Sequence, residues 1–470
     1  MLAEIVEAIG GRPRGEPPTA SVGRVSTDSR TVAPADLFFA LKGPRFDGHA
    51  FVADALRRGA VVAVVAAAQG AAVAQAVRDQ LDRPVASAAL IEVADPVKAL
   101  GALATYHRRL LSANLIAVVG SNGKTTTKAM VHHILSARLT GHCSPKSFNN
   151  EIGVPLTLLS ADAADEYMVV EIGTSAPGEV AALADLARPE TAVLTSIGEE
   201  HLEGLRDLHG VAAEECSILH KLAPGGFAAV NVDNPLVRAY LPQDGVTVTT
   251  FGATPDADLR LTGVRYEAPW LHFTLNGRFA YRLPMAGAHN ATNAAGAITV
   301  ARRLGFDHDE IAARLESFVP PPMRNEVLEI GGVTVVNDAY NANPRSALAA
   351  LEVLESLPCR GRRIAVFGEM RELGGQSAEL HRQVAERLAR GRVDRVYLVG
   401  VAAELMGTAL EERQRSGPQV KRCADVDECA ARLQADVRDG DVLLLKASRA
   451  VGLERLVGPL RQRLEATPVA

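Results

Sequence analysis

The sequence predicts an α/β protein with three domains: a mixed α/β N-terminal domain, a central P-loop domain with a doubly wound parallel sheet and a small antiparallel patch, and a C-terminal Rossmann-like doubly wound domain. Three observations lead to this prediction. The length of 470 residues corresponds to about three domains of ordinary size. Apolar runs alternate with helical patterns in the middle and the last third of the chain, which is typical of parallel sheets. Prolines interrupt this alternation at two places.

The two proline positions give the predicted domain boundaries. Pro96 follows Asp95 and resists continuation of the preceding structure. Three consecutive prolines, from Pro320 to Pro322, break either kind of regular structure. The predicted domains are therefore residues 1–95, 96–319 and 320–470.

The predicted elements follow from the period of the apolar residues. A helix is expected at Val97–Leu111, and a short antiparallel patch within Val246–Arg282 that begins with Val246–Thr249. The predicted buried strands are Tyr167–Ile172, Ala192–Ser196 and Gly226–Asn231 in the central domain, and Ile364–Gly368, Arg395–Gly400 and Val442–Lys446 in the last domain.

The composition describes a globular chain with no strong attraction to polyanions. Hydrophobic residues make up 47% of the chain, charged residues 22%, and the formal net charge is -5. A slightly acidic chain argues against a general nucleic-acid-binding surface, so no nucleic-acid partner is expected. Any polyanionic ligand must be held by local sites.

The cysteines and the apolar segments predict a cytoplasmic protein without membrane insertion. The five cysteines are odd in number and contain no C-x-x-C pair, as in reduced intracellular thiols. The segment Met1–Gly10 carries Glu4 and Glu7 but no basic region, unlike a signal peptide. The Ala-rich stretch Ala60–Val77 suits a buried strand followed by a helix better than a bilayer span. We expect a monomer.

The stretch Leu115–Thr127 predicts a phosphate-binding loop between a strand and a helix. An apolar run meets Gly120-Ser121-Asn122-Gly123-Lys124-Thr125-Thr126, a short form of the nucleotide-binding signature with Val118 where the full form has glycine. The glycines permit a tight turn that exposes N–H groups, and the following helix adds its positive dipole end. Lys124 can neutralise phosphate oxygens, and Thr125 can place a hydroxyl on Mg²⁺. The alternative is an ordinary strand-turn-helix with a surface lysine.

Polar side chains follow each predicted central strand. Glu171 ends one strand, Glu199, Glu200 and His201 follow another, and Asn231 and Asp233 follow a third. Ligands of parallel sheets lie at the carboxyl ends of the strands, so these side chains are expected to converge on the loop of Lys124. Glu171 and His201 are candidate metal ligands, while helix capping or a solvated turn is the alternative for each.

Two polar islands in the N-terminal region are candidate substrate loops. One contains Ser29 and Arg30, and the other contains Arg45, Asp47 and His49. The arginines could hold a diphosphate and the smaller polar groups a sugar or base. The alternative is two solvated hairpin loops.

Three further polar clusters are candidates for ligand contacts. Asn290 and Asn293 lie three residues apart at a predicted helix start, where both amides share one face or simply cap the helix. The segment Asn337–Pro344 is a dense polar loop before a predicted helix. Lys446, Ser448 and Arg449 follow an apolar run and suit a carboxylate or phosphate, or a strand that ends in water.

Taken together, these motifs resemble those of the Mur ligases of peptidoglycan synthesis over essentially the whole chain. Two of them, Asn149–Thr157 and Tyr340–Pro344, favour the family member that adds D-alanyl-D-alanine over those that add earlier residues. The other carriers of the resemblance are Val25–Arg30, Asp47–His49, Gly120–Thr126, Glu171–Gly173, His201–Gly204, His289–Asn293, Asp338–Pro344 and Gly368–Gly374.

The resemblance implies a cytoplasmic, ATP-dependent amide ligase with a UDP-sugar-binding N-terminal domain, a central ATPase domain and a C-terminal domain that closes over the nucleotide. The implied reaction joins D-alanyl-D-alanine to UDP-N-acetylmuramoyl-tripeptide through an acyl phosphate, giving ADP and phosphate. Cell wall biogenesis, and with it cell shape and division, would depend on this step. The implied cofactors are ATP and Mg²⁺.

The resemblance also implies roles for individual residues of this chain. Thr125, Glu171 and His201 are implied metal ligands, and Lys124, Glu171 and His201 are implied catalytic groups. ATP binding is implied for Gly120, Ser121, Asn122, Gly123, Lys124, Thr125, Thr126, Asn290, Asn293, Arg324, Asp338, Asn341 and Asn343, and substrate binding for Ser29, Arg30, Asp47, His49, Asn149, Asn150, Lys446, Ser448 and Arg449.

The chain departs from the family pattern at two positions. The family commonly has a carbamylated lysine 14 residues after the histidine matched by His201, where this chain has Glu215. We hypothesise that Glu215 supplies the carboxylate directly as a catalytic metal ligand without CO₂, with Glu214 as the neutral comparison; the alternative is that Glu215 is a solvated helix residue. Ala447 stands where the family commonly has glycine, which restricts the backbone of that loop.

Two other functions compete with this interpretation. The chain could be another Mur-type or folylpolyglutamate-synthase-like ligase that shares the phosphate loop. It could also be a regulator that binds a nucleotide without forming a bond, although polar groups at several strand ends argue against that. The identity of the third acceptor residue, diaminopimelate or lysine, is left open, as is the selectivity for the dipeptide.

Overall fold

The computed structural model describes residues 2–14, 21–44, 46–81, 90–411 and 417–466. The helices are α1 Leu2–Ala8, α2 Val52–Arg57, α3 Gly70–Gln80, α4 Pro96–Leu110, α5 Lys124–Leu135, α6 Gly153–Leu159, α7 Glu179–Ala187, α8 Leu202–Leu205, α9 Leu208–Cys216, α10 His289–Arg303, α11 His308–Glu316, α12 Pro344–Ser356, α13 Ser377–Arg390, α14 Ala402–Leu405, α15 Gly407–Glu411, α16 Val426–Asp436 and α17 Val457–Ala466.

The strands are β1 Arg12–Pro13, β2 Val25–Ser26, β3 Leu37–Phe39, β4 Val62–Ala66, β5 Leu90–Val93, β6 Asn114–Val119, β7 Gly141–Cys143, β8 Tyr167–Glu171, β9 Thr191–Leu194, β10 Phe227–Asn231, β11 Thr247–Gly252, β12 Leu259–Glu267, β13 Trp270–Leu275, β14 Phe279–Leu283, β15 Glu326–Ile330, β16 Val333–Asn337, β17 Arg363–Phe367, β18 Arg395–Val399, β19 Gln419–Cys423 and β20 Val442–Lys446. None of the helices in the described ranges is long and apolar enough to cross a membrane.

The chain forms two compact units. The first unit contains residues 1–117, 139–173 and 181–190, and the second contains residues 118–138, 174–180 and 191–470. The first unit carries a five-stranded sheet of order β1-β5-β4-β3-β2, in which β1 alone pairs antiparallel. Apolar side chains cover both faces of this sheet, as expected when helices pack on either side.

The second unit contains most of the central sheet. Its strands follow the order β14-β13-β12-β11-β10-β9, with parallel pairing from β9 to β12 and antiparallel pairing from β12 to β14. The predicted antiparallel patch is therefore present. The prediction was wrong for its first run, because Thr247–Gly252 pairs parallel with β10 and with the start of β12. A short alternating run cannot reveal the direction of its neighbours.

The second unit also contains the C-terminal sheet, of order β15-β16-β20-β17-β18-β19. Only β15 pairs antiparallel, and the other five strands are parallel. The inner parallel strands β16, β20, β17 and β18 are mostly apolar and buried because both faces are covered, whereas β19 at the sheet edge is largely polar. The doubly wound α/β class predicted for this region is confirmed.

Candidate active site

The turn between β6 and α5 is closed by two glycines that no other residue could replace without displacing neighbours. Gly120 has φ +121, and a Cβ there would lie 2.4 Å from Thr195 Oγ1. Gly123 has φ +87, and a Cβ there would lie 2.1 Å from Asn293 Oδ1. Both positive φ values and close approaches require glycine. The chain therefore forms the compact loop that the motif predicts.

The segment after β9 is hydrogen-bonded along this loop. Thr195 Oγ1 donates to the Asn122 carbonyl at 2.7 Å, and Ser196 Oγ accepts from the Asn122 N–H at 3.0 Å. Ser121 Oγ donates to the Gly198 carbonyl at 3.0 Å and accepts from the Gly198 N–H at 2.9 Å. These hydrogen bonds therefore connect the phosphate loop rigidly to the segment Thr195–Gly198.

Lys124 lies between the loop backbone and two buried carboxylates. Its Nζ donates to the Gly120 carbonyl at 2.5 Å and lies 3.6 Å from Glu200 Oε1 and 4.0 Å from Glu215 Oε1. Glu215 is 0% exposed, so the alternative of a solvated helix residue is excluded. Its Oε2 accepts the Gly120 N–H at 2.8 Å. Glu215, although it lies in α9, therefore contacts the phosphate loop directly.

Burial governs the protonation of these two carboxylates. Burial raises the pKa of Glu200, and the charges of Lys124 and His201 oppose that rise. Burial likewise raises the pKa of Glu215 to about 8, with Lys124 again opposing and the charge of Glu200 adding to the rise. The charges of Lys124 and His201 therefore do not fully offset the effect of burial on these two carboxylates.

His201 lies at the start of α8 in a left-handed conformation, with φ 50. Its Nδ1 forms an ion pair with Glu372. Burial alone would lower the pKa of His201, but the hydrogen bond to Glu372 and the charges of Glu200 and Glu372 raise it overall. The Glu372 carboxylate thereby fixes the orientation of the imidazole ring.

The other implied metal ligand, Glu171, ends β8 in the first unit. Its Oε1 accepts from Asn149 Nδ2 at 3.0 Å, and its backbone N–H donates to Ser144 Oγ. Within the described ranges, no group of three or more His, Cys, Asp or Glu side chains forms a ready cation site.

Two C-terminal side chains reach the phosphate loop. Arg324 Nη2 donates to Thr125 Oγ1 at 3.1 Å, and Asn343 Nδ2 donates to Asn122 Oδ1 at 2.9 Å. The neighbours of Arg324, Met323 and Asn325, have φ 59 and φ 50. Backbone held in this rare conformation on both sides of an arginine is typical of a functional site.

Asp338 and Lys446 form a buried pair behind this contact. Lys446 Nζ lies 2.6 Å from Asp338 Oδ2 and donates to the Asn341 carbonyl at 2.8 Å. Asp338 Oδ1 accepts the Asn325 N–H at 3.1 Å, and Asn325 Nδ2 lies 2.9 Å from His289 Nε2. Burial lowers the pKa of Lys446 against the raising charge of Asp338. The Asp338–Lys446 pair therefore connects the polar loop at Asn341 to the strained backbone at Asn325.

Asn290 and Asn293 support the phosphate loop from α10. Asn293 Nδ2 donates to Asn290 Oδ1 at 3.0 Å, and Asn290 Nδ2 donates to the Ala286 carbonyl at 2.8 Å. Both side chains are buried, and Asn293 packs against Gly123. The amides share one helix face as predicted, and they are engaged with protein groups.

The implied substrate residues of the N-terminal region are divided between exposed and engaged positions. Arg30 is exposed and pairs with Asp28 at 2.7 Å, and Ser29 is partly buried beside it. His49 is buried, with Nδ1 2.6 Å from Asp47 Oδ1 and Nε2 accepting from the Ala66 N–H at 2.9 Å. Both ring nitrogens of His49 therefore have hydrogen-bond partners within the protein. Arg45 lies outside the described residues.

Three other implied substrate residues also have structural partners. Asn150 Oδ1 accepts from the Ile152 and Gly153 N–H groups at the start of α6. Ser448 is buried, and its Oγ accepts from the Arg371 N–H at 2.9 Å. Arg449 is exposed and pairs with Glu454 at 2.8 Å. Of these three side chains only Arg449 is charged, and its guanidinium is exposed.

Sequence reasoning did not select four side chains that complete the site. Glu200 was noted only as one of several strand-end groups, and its position beside His201 was the available signal. Tyr340 lies 3.9 Å below the Arg324 guanidinium, and Glu372 pairs with His201. Arg345 donates to the Ile197 carbonyl at 2.6 Å. Such partners are distant in sequence, so local pattern does not reveal them.

Three family models match the chain in consecutive ranges. "Mur ligase family, catalytic domain" matches residues 21–108, "Mur ligase middle domain" matches residues 118–301, and "Mur ligase, glutamate ligase domain" matches residues 323–449. Together they span all three sheets of the fold.

Full-length relatives and solved structures agree with these matches. The UDP-N-acetylmuramoyl-tripeptide--D-alanyl-D-alanine ligase of Bacillus subtilis (strain 168) is 33% identical over 464 residues, covering 98% of this chain and 97% of the relative. The crystal structure of MurF from Acinetobacter baumannii superposes with a TM-score of 0.83 at 28% identity, covering 98% of each chain. The MurF ligase of Thermotoga maritima in complex with ADP gives 0.79 at 30% identity, covering 94% of this chain and 98% of that one.

Proposed function

This chain belongs to the Mur ligase family, and on that premise we propose that it is an ATP-dependent ligase that joins D-alanyl-D-alanine to UDP-N-acetylmuramoyl-tripeptide in the cytoplasm, acting as a monomer. One observation carries the proposal beyond family membership. Arg324 and Asn343 of the C-terminal region meet Thr125 and Asn122 of the phosphate loop. A site assembled from distant segments suits a reaction that joins several substrates.

The chemistry requires activation of a carboxylate. The terminal carboxylate of the tripeptide attacks the γ-phosphorus of ATP and forms an acyl phosphate, with ADP as the leaving group. The free amine of D-alanyl-D-alanine then attacks the acyl carbon, the tetrahedral intermediate expels phosphate, and the amine loses a proton. Negative charge develops on oxygen in both steps, so the site must supply positive charge twice.

The phosphate loop residues supply that charge. Lys124 and the loop N–H groups bind the phosphates, and the Arg324 guanidinium adds a second cation beside Thr125. Tyr340 lies under Arg324 and orients its plane. We propose indirect roles for Asn290 and Asn293 in nucleotide binding. Asn293 packs against Gly123 of the loop, and Asn290 accepts a hydrogen bond from Asn293.

The residues present fit a divalent cation. Glu200 Oε1 and Glu215 Oε1 are buried oxygens without a hydrogen-bond partner in the described part of the chain. Thr125, His201 and Glu215 of the second unit would hold Mg²⁺ together with substrate oxygens, since Mg²⁺ keeps few protein ligands. Glu171 stays a proposed metal ligand on the family resemblance alone. Bound there, the metal would supply Lewis-acid stabilisation of phosphoryl oxygens.

We propose the three-domain division at residues 95 and 319 as the functional division. UDP-sugar binding then falls to residues 1–95, where Arg30 is an exposed cation paired with Asp28. Asp47, His49 and Asn150 support the N-terminal loops and the start of α6 through their hydrogen bonds. Asn149 acts by holding Glu171. Arg449 is the accessible cation for a substrate carboxylate.

The test is phosphate release from ATP in the presence of each acceptor. Release that requires both UDP-N-acetylmuramoyl-tripeptide and D-alanyl-D-alanine is expected, with diaminopimelate and lysine acceptors compared side by side. Release with another amino acid and acceptor would identify a different ligase of this type. Nucleotide binding without acceptor-dependent release would identify a regulator.

Lys124→Ala should abolish ligation while the fold is retained. Water cannot replace a preorganised cation in this buried setting, so we expect turnover to fall at least about 100-fold. The matched control is Lys98→Ala, which removes an exposed lysine from α4 and should leave turnover unchanged. Circular dichroism verifies the fold of both variants. Normal turnover in folded Lys124→Ala protein would contradict the phosphate-loop assignment.

A further inference from the structure

Arg345 makes an unusual contact between α12 and the segment after β9. Its Nη1 donates to the Ile197 carbonyl at 2.6 Å. No carboxylate in the described ranges pairs with this guanidinium at ion-pair distance. The Arg345 cation is therefore bound by a backbone carbonyl and not by a carboxylate among the described residues.

The position of Arg345 in its helix is not explained by helix stability. Pro344 is the first residue of α12, so Arg345 lies in the first turn, next to the Asn343 cap. A cation there faces the positive end of the helix dipole, which disfavours it at that position. The contact with Ile197 offsets this unfavourable effect.

The Ile197 carbonyl belongs to a segment that bears directly on the phosphate loop. Gly198, the next residue, exchanges two hydrogen bonds with Ser121. Two residues further on, Glu200 lies 3.6 Å from Lys124 Nζ. A displacement at Ile197 would therefore move groups on both sides of the phosphate site.

Gly198 packs closely against Arg345. A Cβ at Gly198 would lie 3.1 Å from Arg345 Cδ, and the three atoms nearest to it all belong to Arg345. The φ of Gly198 is not in the left-handed region. Alanine at 198 would therefore press first on the Arg345 side chain.

We propose that Arg345 is a positioning residue for ligation, which fixes the segment Thr195–His201 against the phosphate loop when the C-terminal region engages it. The inference rests on the proposed function for its kinetic consequence. It assigns Arg345 no contact with a substrate. Its effect reaches the reacting groups through Ile197, Gly198 and Ser121.

The first test separates turnover from nucleotide binding. Arg345→Ala should lower kcat roughly 10- to 100-fold, as expected for a small misplacement of reacting groups. The Kd for ADP should be unchanged, because the glycines and N–H groups of the loop remain. Arg345→Lys should recover part of kcat, since an ammonium can donate one hydrogen bond to the same carbonyl. Arg461→Ala, at an exposed position of α17, is the matched control.

The second test is a double-mutant cycle with Gly198→Ala. In the wild-type background this substitution should lower kcat about two- to fivefold by displacing Arg345, and in the Arg345→Ala background it should have no effect. Additive effects would overturn the proposal, as would equal loss of kcat and ADP affinity in Arg345→Ala. The single variant Gly198→Ala keeps the test valid if Arg345→Ala fails to fold.

Hydrogen exchange distinguishes failure of this inference from failure of the proposed function. With ADP bound, the segment Thr195–His201 should exchange faster in Arg345→Ala than in the wild type, whatever reaction the protein catalyses. Equal exchange would overturn the positioning role. Absence of ligation by the wild-type protein would overturn only the proposed function.

Discussion

The Glu215 carboxylate is held by the phosphate loop itself. One oxygen accepts the Gly120 N–H, and the other lies 4.0 Å from Lys124 Nζ without a hydrogen-bond partner among the described residues. An oxygen in this state suits a second cation near bound phosphates. The hypothesis that Glu215 supplies a carboxylate ligand directly stays a prediction.

We predict that ligation does not depend on CO₂ and depends on the charge of Glu215. Removal of bicarbonate should leave turnover unchanged. Glu215→Gln retains an oxygen that can accept the Gly120 N–H but can never become the anion that a bound cation would stabilise, so turnover should fall roughly 10- to 100-fold. Steady-state phosphate release measures both effects.

The control for this prediction needs an exposed glutamate. Glu404→Gln makes the same chemical change at an exposed position of α14 and should leave turnover unchanged. Ligation at the normal rate by Glu215→Gln would show that the metal is held in another way. Restoration of activity by added bicarbonate would also contradict the hypothesis.

At the scale of the element, Glu214 stabilises the first turn of α7. Its carboxylate accepts from the Gly178 N–H at 2.6 Å, the Val180 N–H at 2.7 Å and Thr174 Oγ1 at 3.2 Å. These N–H groups lie at a helix start, where no intrahelical acceptor is available. Glu214 is therefore not the neutral comparison for Glu215 that the sequence suggested.

Glu214→Gln should destabilise the protein. The amide NH₂ cannot accept the helix N–H groups, so one buried donor loses its acceptor at a cost of about 1–3 kcal/mol. The midpoint of thermal unfolding should fall by about 1–2 °C per kcal/mol for a unit of this size. Differential scanning calorimetry measures the shift, with Glu404→Gln as control. An unchanged midpoint would show that the cap is dispensable.

At the scale of the whole molecule, His289 connects α10 to the C-terminal region. Its Nε2 accepts from Asn325 Nδ2 at 2.9 Å. Burial lowers the pKa of His289 to about 4; the charge of Asp338 opposes this shift, and those of Lys446 and Arg345 add to it. The imidazole is therefore neutral in the folded protein across the physiological range.

This shift predicts acid sensitivity of the folded state. The pKa of His289 is about 4 in the folded protein and 6.5 ordinarily, so the unfolded chain binds the proton more readily between these values. Stability is fully present above pH 6.5 and is lost as the pH falls toward 4, by up to about 3 kcal/mol. Thermal unfolding midpoints at pH 7 and pH 5 measure the loss.

The variant His289→Gln isolates this contribution. Glutamine can accept the same hydrogen bond and does not titrate, so its midpoint should fall less between pH 7 and pH 5 than that of the wild type. His220→Gln, at an exposed position, should behave like the wild type. Equal pH dependence in all three proteins would contradict the assignment to His289.

The sequence by itself determined the elements and the phosphate loop, because both depend on local period and on residues with special backbone freedom. Gly120 and Gly123 are predictable since few residues adopt their conformation. The parallel character of the C-terminal sheet followed from its uninterrupted apolar runs. The family motifs then located Lys124, Arg324 and Asn343.

Only the tertiary structure decided what surrounds these residues. The pairing direction of β11, the burial of Glu215 and Glu214, and the contact of Arg345 with Ile197 join positions far apart in the chain. Such contacts arise from packing and burial in the folded chain. The local pattern of residues does not reveal them, because the partners lie far apart in the sequence. The electrostatics around Lys124 likewise depend on how completely water is excluded from Glu200 and Glu215, and exclusion of water is a property of the folded chain.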